Sequence, residues 1–325
     1  MKAIRHYRYG SPEVLKLEHT GMPAVGDEDV LIRVRAASVN PLDWHFMRGM
    51  PYIVRPKAGL LRPRDGRLGA DLAGRVDAVG RNVTRFAPGD EVFGCPAGLG
   101  TLAEYVSVHQ DDAVLAKPAS QTFEQAAAVP VAAFTALQAL RDRGHVRPGH
   151  KVLVNGASGG VGTFAVQIAR ALGAEVTGVC GTGNLEMVAS IGASEVIDYT
   201  KEDFTRAGKR YDLLLDIAGS RPLTGCLRVL APRGILVGIG GPDKGRWIGP
   251  LTRPVTALLL SPATSRKMRF FLARPNTDDL AVLRDLLQDG KVTPVIDRTY
   301  PLSEAPEAIR YLEQGHARGK VVITV

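Results

Sequence analysis

Cysteine is scarce in this chain. The three present, Cys95, Cys180 and Cys226, form no close pair and no C-x-x-C, so a disulfide framework is not supported and a reducing compartment is expected. Seven histidines occur, but none makes an H-x-x-x-H or similar cluster with the cysteines, which leaves zinc without a local ligand pattern. Long apolar runs are missing as well. The greasiest patch, Val255 to Leu260, is far too short to span a bilayer. The opening Met1-Lys-Ala-Ile-Arg-His-Tyr lacks the apolar core of a signal peptide. No internal repeat or low-complexity segment interrupts the chain. The expectation is a soluble, cytoplasmic protein with no membrane partner. A formal charge of +8 raises the question of nucleic acid. The basic residues are dispersed, however, apart from Arg55, Lys57, Arg62, Arg64 and Arg67. They fit a solvated basic loop, or a field that attracts an anionic cofactor, better than a nucleic-acid surface.

What is present centres on Lys151-Val-Leu-Val-Asn-Gly-Ala-Ser-Gly-Gly-Val-Gly162. Val152 to Val154 reads as a buried strand, the glycines as a tight turn, and Val161 to Leu172 as a packed helix. Strand, glycine turn and helix together open a dinucleotide-binding unit. Glycine there lets the backbone turn sharply and approach a pyrophosphate, and the first helix amides then face the phosphates. The spacing is Gly156-x-x-Gly159-x-x-Gly162 in place of the usual G-x-G-x-x-G, and by itself it also fits a turn with no ligand. Context favours the ligand. Strands are expected at Glu175 to Cys180, around Val196-Ile197, at Tyr211 to Ile217 and at Gly234 to Ile239, with a helix from about Asn184. That alternation predicts a parallel, doubly wound sheet.

Before it the text is β-rich. Strands are expected at Lys2 to Tyr7, Val14 to Glu18, Val30 to Val39, Ala73 to Gly80, Asp90 to Gly94 and Ala103 to Val108, with a short helix after Asn40 and a loop from Gly49 to Arg67. Helical character begins near Phe123. After the Gly/Pro-rich connection beyond Gly240 come a strand near Arg269 to Leu272 and a helix from Asp278 to Leu287. Strand Val292 to Ile296, helix Ser303 to Leu312 and strand Val321 to Val325 close the chain. At 325 residues, two domains are expected.

With these residues in view, the chain resembles the zinc-independent medium-chain dehydrogenase/reductases of the quinone oxidoreductase (zeta-crystallin-like) type. The marks are Gly10-Ser-Pro-Glu-Val-Leu15, Ser38-Val-Asn-Pro-Leu-Asp43, Phe86-Ala-Pro-Gly-Asp-Glu-Val-Phe93, Gly100-Thr-Leu-Ala-Glu-Tyr105, Asn155-Gly-Ala-Ser-Gly-Gly-Val-Gly162 and His316-Ala-Arg-Gly-Lys-Val-Val322. They run in order from end to end. The resemblance implies an α/β protein with a β-rich GroES-like catalytic domain, residues 1–122 together with 269–325. A Rossmann dinucleotide-binding domain, residues 123–268, is inserted in it, with cofactor and substrate meeting in the cleft. Zinc-dependent relatives carry cysteine at the position of Asn40 and a His-Glu pair at Ala70-Asp71. Neither asparagine nor alanine is a useful zinc ligand, so no metal is expected.

The same resemblance nominates site residues, each with a plainer alternative. Asn40 would donate to a substrate carbonyl, or merely cap the helix that starts at Pro41. Asp43 would orient neighbouring groups, or only favour the helix dipole. Tyr52 would donate a proton or bind substrate, or only pack in its loop. On the cofactor side stand Thr135, the turn Gly156, Ser158, Gly159, Gly160, Val161 and Gly162, and the strand exits at Ala218, Gly238 and Gly240. The apolar stretch Trp247 to Leu260 lines a pocket, buries a subunit contact or is simply core.

The expected activity is NAD(P)H-dependent reduction of quinones or α,β-unsaturated carbonyl compounds by hydride transfer, with a small electrophilic substrate and a homodimeric assembly. An alcohol or aldehyde oxidoreductase and a low-turnover cofactor-binding regulator are the alternatives. As to the cofactor, an NAD site places an acid near the end of the second strand, where this chain has Cys180-Gly181. Thr182 could donate to a 2′-phosphate, and Tyr199 matches a tyrosine that contacts it in relatives. Gly183 and Asn184 stand where many relatives carry a cation. A modest preference for NADPH, with NADH usable, is expected.

Overall fold

The computed structural model describes residues 1–52, 55–239, 249–261 and 264–325. The chain divides into two compact units: Met1–Phe134 with Arg274–Val325, and Thr135–Ala273. In order, the first carries strands β1 (Lys2–Arg5), β2 (Lys16–His19) and β3 (Asp29–Val39), helices α1 (Pro41–Arg48) and α2 (Arg55–Ala58), then β4 (Asp71–Val79), β5 (Glu91–Cys95), β6 (Tyr105–His109), β7 (Ala113–Ala116) and α3 (Phe123–Ala127). Helix α4 (Pro130–Gln138) contains the division. The second unit holds β8 (Lys151–Asn155), α5 (Gly160–Ala171), β9 (Glu175–Cys180), α6 (Leu185–Ser190), β10 (Glu195–Asp198), β11 (Tyr211–Asp216), α7 (Leu223–Arg228), β12 (Leu230–Gly238), α8 (Gly249–Leu260) and β13 (Lys267–Phe270). The chain returns to the first unit through α9 (Thr277–Gln288), β14 (Ile296–Pro301), α10 (Ala305–Glu313) and β15 (Lys320–Thr324).

The first unit is built on a seven-stranded sheet in the order β14-β15-β3-β4-β5-β7, with β6 also paired to β3 and a small β1–β2 ribbon beside it. Strand β3 shows why. Its stretch Leu31-Ile-Arg-Val-Arg turns Ile32 and Val34 inward and Arg33 and Arg35 outward, the period-two pattern of a strand with one wet face. Ile32, Val34, Leu72, Val92, Val321 and Ile323 meet in one core.

The second unit is a six-stranded, wholly parallel sheet in the order β10-β9-β8-β11-β12-β13. Its central strands are continuous apolar runs, as both-sided burial demands. The chain moves outward from β8 in one direction and returns to the other side of it at β11. That reversal is the switch point beside which doubly wound sheets bind ligands, outside the carboxyl ends of their strands.

Three expectations differ from this picture. The expected boundaries, 122/123 and 268/269, stand at 134/135 and 273/274. Helix α3 packs on β3, β4 and β5, and β13 is hydrogen-bonded along β12, so packing draws each segment to the other side of the expected cut. The strand expected at Val292 to Ile296 instead begins at Ile296, because Pro294 brings no N–H to a ladder. A helical turn, α2, sits within the expected loop from Gly49 to Arg67. Among the described residues no helix is long and apolar enough to cross a membrane.

Candidate functional site

In the first unit, three neighbouring strands bring polar side chains to one edge. β3 runs out through Ser38 and Val39 into Asn40, while β4 begins beside it at Asp71, paired with Ser38. On the other side β15 begins at Lys320. All four polar side chains are buried. Asp71 Oδ2 accepts from Ser38 Oγ at 2.6 Å, Asn40 Nδ2 at 2.8 Å and the Lys320 ammonium at 3.3 Å. Its other oxygen accepts from the Val131 N–H at 2.8 Å, in the first turn of α4, where a carboxylate also favours the helix dipole. Lys320 in turn donates to Asn40 Oδ1 at 2.6 Å.

Asn40 therefore has its side chain committed at both ends. Its Nδ2 points to Asp71 and, at 3.4 Å, to the Ser38 carbonyl, so the amide expected to donate to a substrate oxygen is already donating. Asn40 is also the N-cap of α1, in a capping box with Asp43. It is the Asp43 carboxylate that reaches back to the Asn40 N–H at 2.8 Å, and its second oxygen accepts from the Gly69 N–H at 2.8 Å. Asp43 is wholly buried. Desolvation pushes its carboxyl up to about 6, against the pull of those two N–H donors, with Asp71 adding to the rise. Asn40 and Asp43 are thus brought together. Around Tyr52 the structure shows the Arg55 guanidinium, 4.4 Å from the ring centroid, with the same guanidinium over Tyr9.

In the second unit β8 ends at Asn155 and the glycine turn leads into α5 from Gly160. Gly156 has φ +95°, a conformation that favours glycine. A Cβ on Gly162 would lie 2.0 Å from the Gly156 carbonyl oxygen, so this glycine is required by the close return of the chain. Gly159 is different: a Cβ there would meet nothing nearer than the Gly156 oxygen, at 3.7 Å. The turn is open at that point, beside Ser158 and the first α5 residues Gly160 and Val161, whose amides have no acceptor within the helix. Ala218 adjoins the turn, its N–H bonded to the Asn155 carbonyl at 3.2 Å.

At the end of β11, Asp216 is buried and accepts from Asn155 Nδ2 at 2.7 Å, the Gly219 N–H at 3.0 Å and the Arg253 guanidinium. Arg253 also donates to the carbonyls of Gly219 and Arg221, at 2.9 and 3.1 Å, and so fastens the loop that carries Ala218. Gly238 has a packing reason of its own, since a Cβ there would lie 2.3 Å from Phe270 Cε1. Gly240 and Trp247 lie outside the described residues. Thr135 is buried in α4.

The remaining corner lies where β9 and β10 end side by side, Cys180 paired with Asp198. Thr182 Oγ1 donates to Asp198 Oδ2 at 2.6 Å, and Thr200 Oγ1 to Oδ1 at 2.7 Å. Tyr199 stands over Gly181, its hydroxyl 3.3 Å from where a Cβ on that glycine would be, and is 52% exposed.

Sequence reasoning gave no role to Ser38, Lys320, Asp198 and Arg253, and marked Asp216 only as the start of the strand-end turn that carries Ala218. A signal existed for one of them. Lys320 directly precedes Val321-Val-Ile323, a fully buried run, and a lysine heading a buried strand calls for a partner.

Known proteins resemble the chain along most of its length. Residues 26–119 match the alcohol dehydrogenase GroES-like domain, and residues 191–323 match the family described as zinc-binding dehydrogenase. The mitochondrial NAD(P)H oxidoreductase RTN4IP1 of Mus musculus is 37% identical over 98% of this chain and 87% of its own length. The 2-methylene-furan-3-one reductase of Solanum lycopersicum is 34% identical over 99% of this chain and 79% of its own. The quinone oxidoreductase of Escherichia coli, solved in complex with NADPH, superposes with a TM-score of 0.86 at 25% identity and covers both chains fully.

Proposed function

The chain belongs to the medium-chain dehydrogenase/reductase superfamily, quinone oxidoreductase type, and on that premise we propose that it reduces quinones or α,β-unsaturated carbonyl compounds, without zinc, using a nicotinamide dinucleotide. The observation that carries this reading is the Lys320 ammonium bonded to both Asp71 and Asn40. A metal at this edge would have to displace a buried cation that already has its ligands. Asn40 and Ala70 offer no thiolate or imidazole, and among the described residues no three His, Cys, Asp or Glu side chains are grouped to hold a metal. The residues do not fit zinc.

Without a Lewis acid, an acceptor that is electron-poor in its own right is favoured over a saturated carbonyl, which would need a proton donor to activate it. A quinone or enone spreads the incoming electron pair over a conjugated oxygen, whereas a saturated ketone concentrates it on one. The names of the tomato and E. coli relatives, a methylene-furanone reductase and a quinone oxidoreductase, support that substrate class. The dinucleotide, when bound, supplies the hydride. Gly159, Gly160, Val161 and Gly162 would hold its pyrophosphate, and the open space at Gly159 supports that fit. Three buried, unpaired cysteines support a reducing compartment, the cytoplasm in this reading.

The test is oxidation of NADH and NADPH in the presence of quinones, enones and saturated ketones or aldehydes, with elemental analysis of the same preparation. Turnover on the conjugated acceptors alone, with zinc far below one per chain, is expected. Stoichiometric zinc whose removal abolishes turnover would overturn the metal-free reading. Cofactor binding with no turnover on any acceptor would point to a regulator.

A further inference from the structure

We propose that the turn Leu60-Leu-Arg-Pro-Arg64 is a docking loop for the surface of a bilayer that contains anionic phospholipid. That reverses the sequence expectation of no membrane partner. Every residue of the loop belongs to the first unit, and its role stands apart from the activity inferred above.

The loop is closed at its base. The Gly59 N–H donates to the Arg55 carbonyl and the Arg64 N–H to the Ala58 carbonyl, each at 2.7 Å. Gly59 has φ +123°, and a Cβ there would lie 2.0 Å from the Arg62 carbonyl oxygen, so so tight a return needs glycine. From outside, the Tyr9 hydroxyl donates to the Gly59 carbonyl at 2.6 Å. Arg55 Nε donates to the Gly49 carbonyl at 3.0 Å, while its guanidinium faces the rings of Tyr9 and Tyr52. These fastenings hold an apex of Leu60, Leu61 and Arg62 out from the core. Leu60 is 66% exposed. Leu61, at 91%, is the most exposed large apolar side chain among the described residues.

A single exposed leucine needs no explanation. Two in succession at the tip of a fastened turn, with cations directly after them, do need one. The segment from 55 to 67 carries Arg55, Lys57, Arg62, Arg64 and Arg67 against one acid, Asp65. Asp65 is held by Arg67 and faces Arg5. Arg62 and Arg64 are exposed, and their own segment leaves them no carboxylate to pair with. The apolar tip and these cations together select the partner. A nucleic acid would use the arginines and leave the leucines in water. An anionic bilayer uses both: the leucines reach the headgroup–acyl boundary, roughly 5–10 Å deep, and the guanidiniums stay at the phosphates. Two leucines and a few cations give weak, reversible attachment, and the formal charge of +8 draws the protein to such a surface. A protein held there meets long-chain quinones in the phase that dissolves them, a consequence that does rest on the proposed function.

The test is co-sedimentation of the full chain with vesicles of phosphatidylcholine alone, and of phosphatidylcholine and phosphatidylglycerol in equal parts. Binding to the mixed vesicles that falls as salt is raised, with none to the neutral ones, is expected. Leu60→Ser combined with Leu61→Ser should weaken binding about tenfold or more. Arg62→Gln combined with Arg64→Gln should weaken it about tenfold as well. All four side chains are exposed, so both variants should melt with the wild type. Absence of binding to the mixed vesicles, equal binding to both kinds, or a leucine variant that binds like wild type overturns the proposal. Duplex DNA is the control polyanion. DNA bound as tightly as the mixed vesicles, with the arginines needed and the leucines not, would assign the loop to nucleic acid instead. The assay contains neither cofactor nor acceptor, so its failure leaves the proposed activity standing.

Discussion

The Lys320 ammonium stands 3.3 Å from Asp71 Oδ2 with both side chains out of reach of water. Such a pair recovers its desolvation cost only when the remaining donors and acceptors are also satisfied. Here Ser38, Asn40 and Val131 complete the shell of Asp71, and Asn40 Oδ1 takes the ammonium. Lys320→Met should therefore lower stability by about 3–5 kcal/mol, because it leaves a buried carboxylate uncompensated. Adding Asp71→Asn should restore a good part of it, a coupling that a double-mutant cycle of denaturant midpoints reads directly. A single-variant loss below about 1 kcal/mol would mean that the ammonium is not what holds these strand ends.

Asn40 sits between those two charges, and its replacement separates two roles. Asn40→Ala strips one donor from Asp71 and the acceptor from Lys320, so a stability loss of about 1–3 kcal/mol is expected. At a temperature where the variant is folded, kcat should stay within a few-fold of wild type. Loss of an oxyanion donor typically costs about 10²–10³ in kcat. A fall of that size at unchanged stability would restore Asn40 as the group that contacts substrate.

The two polar sites were legible to different degrees, for a physical reason. The glycine turn announces itself locally, because Gly156, Gly159 and Gly162 fall within one strand-to-helix passage whose apolar periods can be counted. The Asp71 cluster is assembled from Ser38, Asn40, Asp71 and Lys320, which meet only because β15, β3 and β4 lie side by side. Nothing within a short window of sequence reports that adjacency. Thr182 and Asp198 lie sixteen residues apart, and only the pairing of β9 with β10 brings their side chains to 2.6 Å. The strand misplaced at Val292 was the one avoidable error, since Pro294 already argued against it.

Asp43 makes a prediction about pH. Its folded-state carboxyl is raised to about 6, against an unfolded value near ~4. Between those values the folded state holds a proton that the unfolded chain has released, so this group's contribution falls as pH rises through the window and levels off above it. Asp43→Asn cannot ionise and should lack that slope. Denaturant midpoints for both proteins at about pH 4.5, 5.5, 7 and 8 would show the wild type losing ground to the variant from about 4 to 6, then a constant gap. Parallel curves throughout would mean that Asp43 is not ionising in this range.

Gly159 offers the sharpest separation of fold from ligand. Gly162 is fixed by packing, since any Cβ there would collide with the Gly156 oxygen at 2.0 Å, and Gly162→Ala should disturb the unit itself. Gly159 carries no such burden. Its φ of −83° and ψ of 176° are open to any residue, and its nearest neighbour would be 3.7 Å from a new Cβ. Gly159→Val should therefore melt within a degree or two of wild type, a change smaller than the 0.5 kcal/mol usual for surface substitutions. If a pyrophosphate lies against the α5 amides, the isopropyl group stands in its way, and NADH affinity should drop about tenfold or more as read by calorimetry. An unchanged affinity in a stable Gly159→Val would mean that the dinucleotide does not approach α5 at this turn. A large loss of stability would mean instead that the open space is filled in solution by the protein itself.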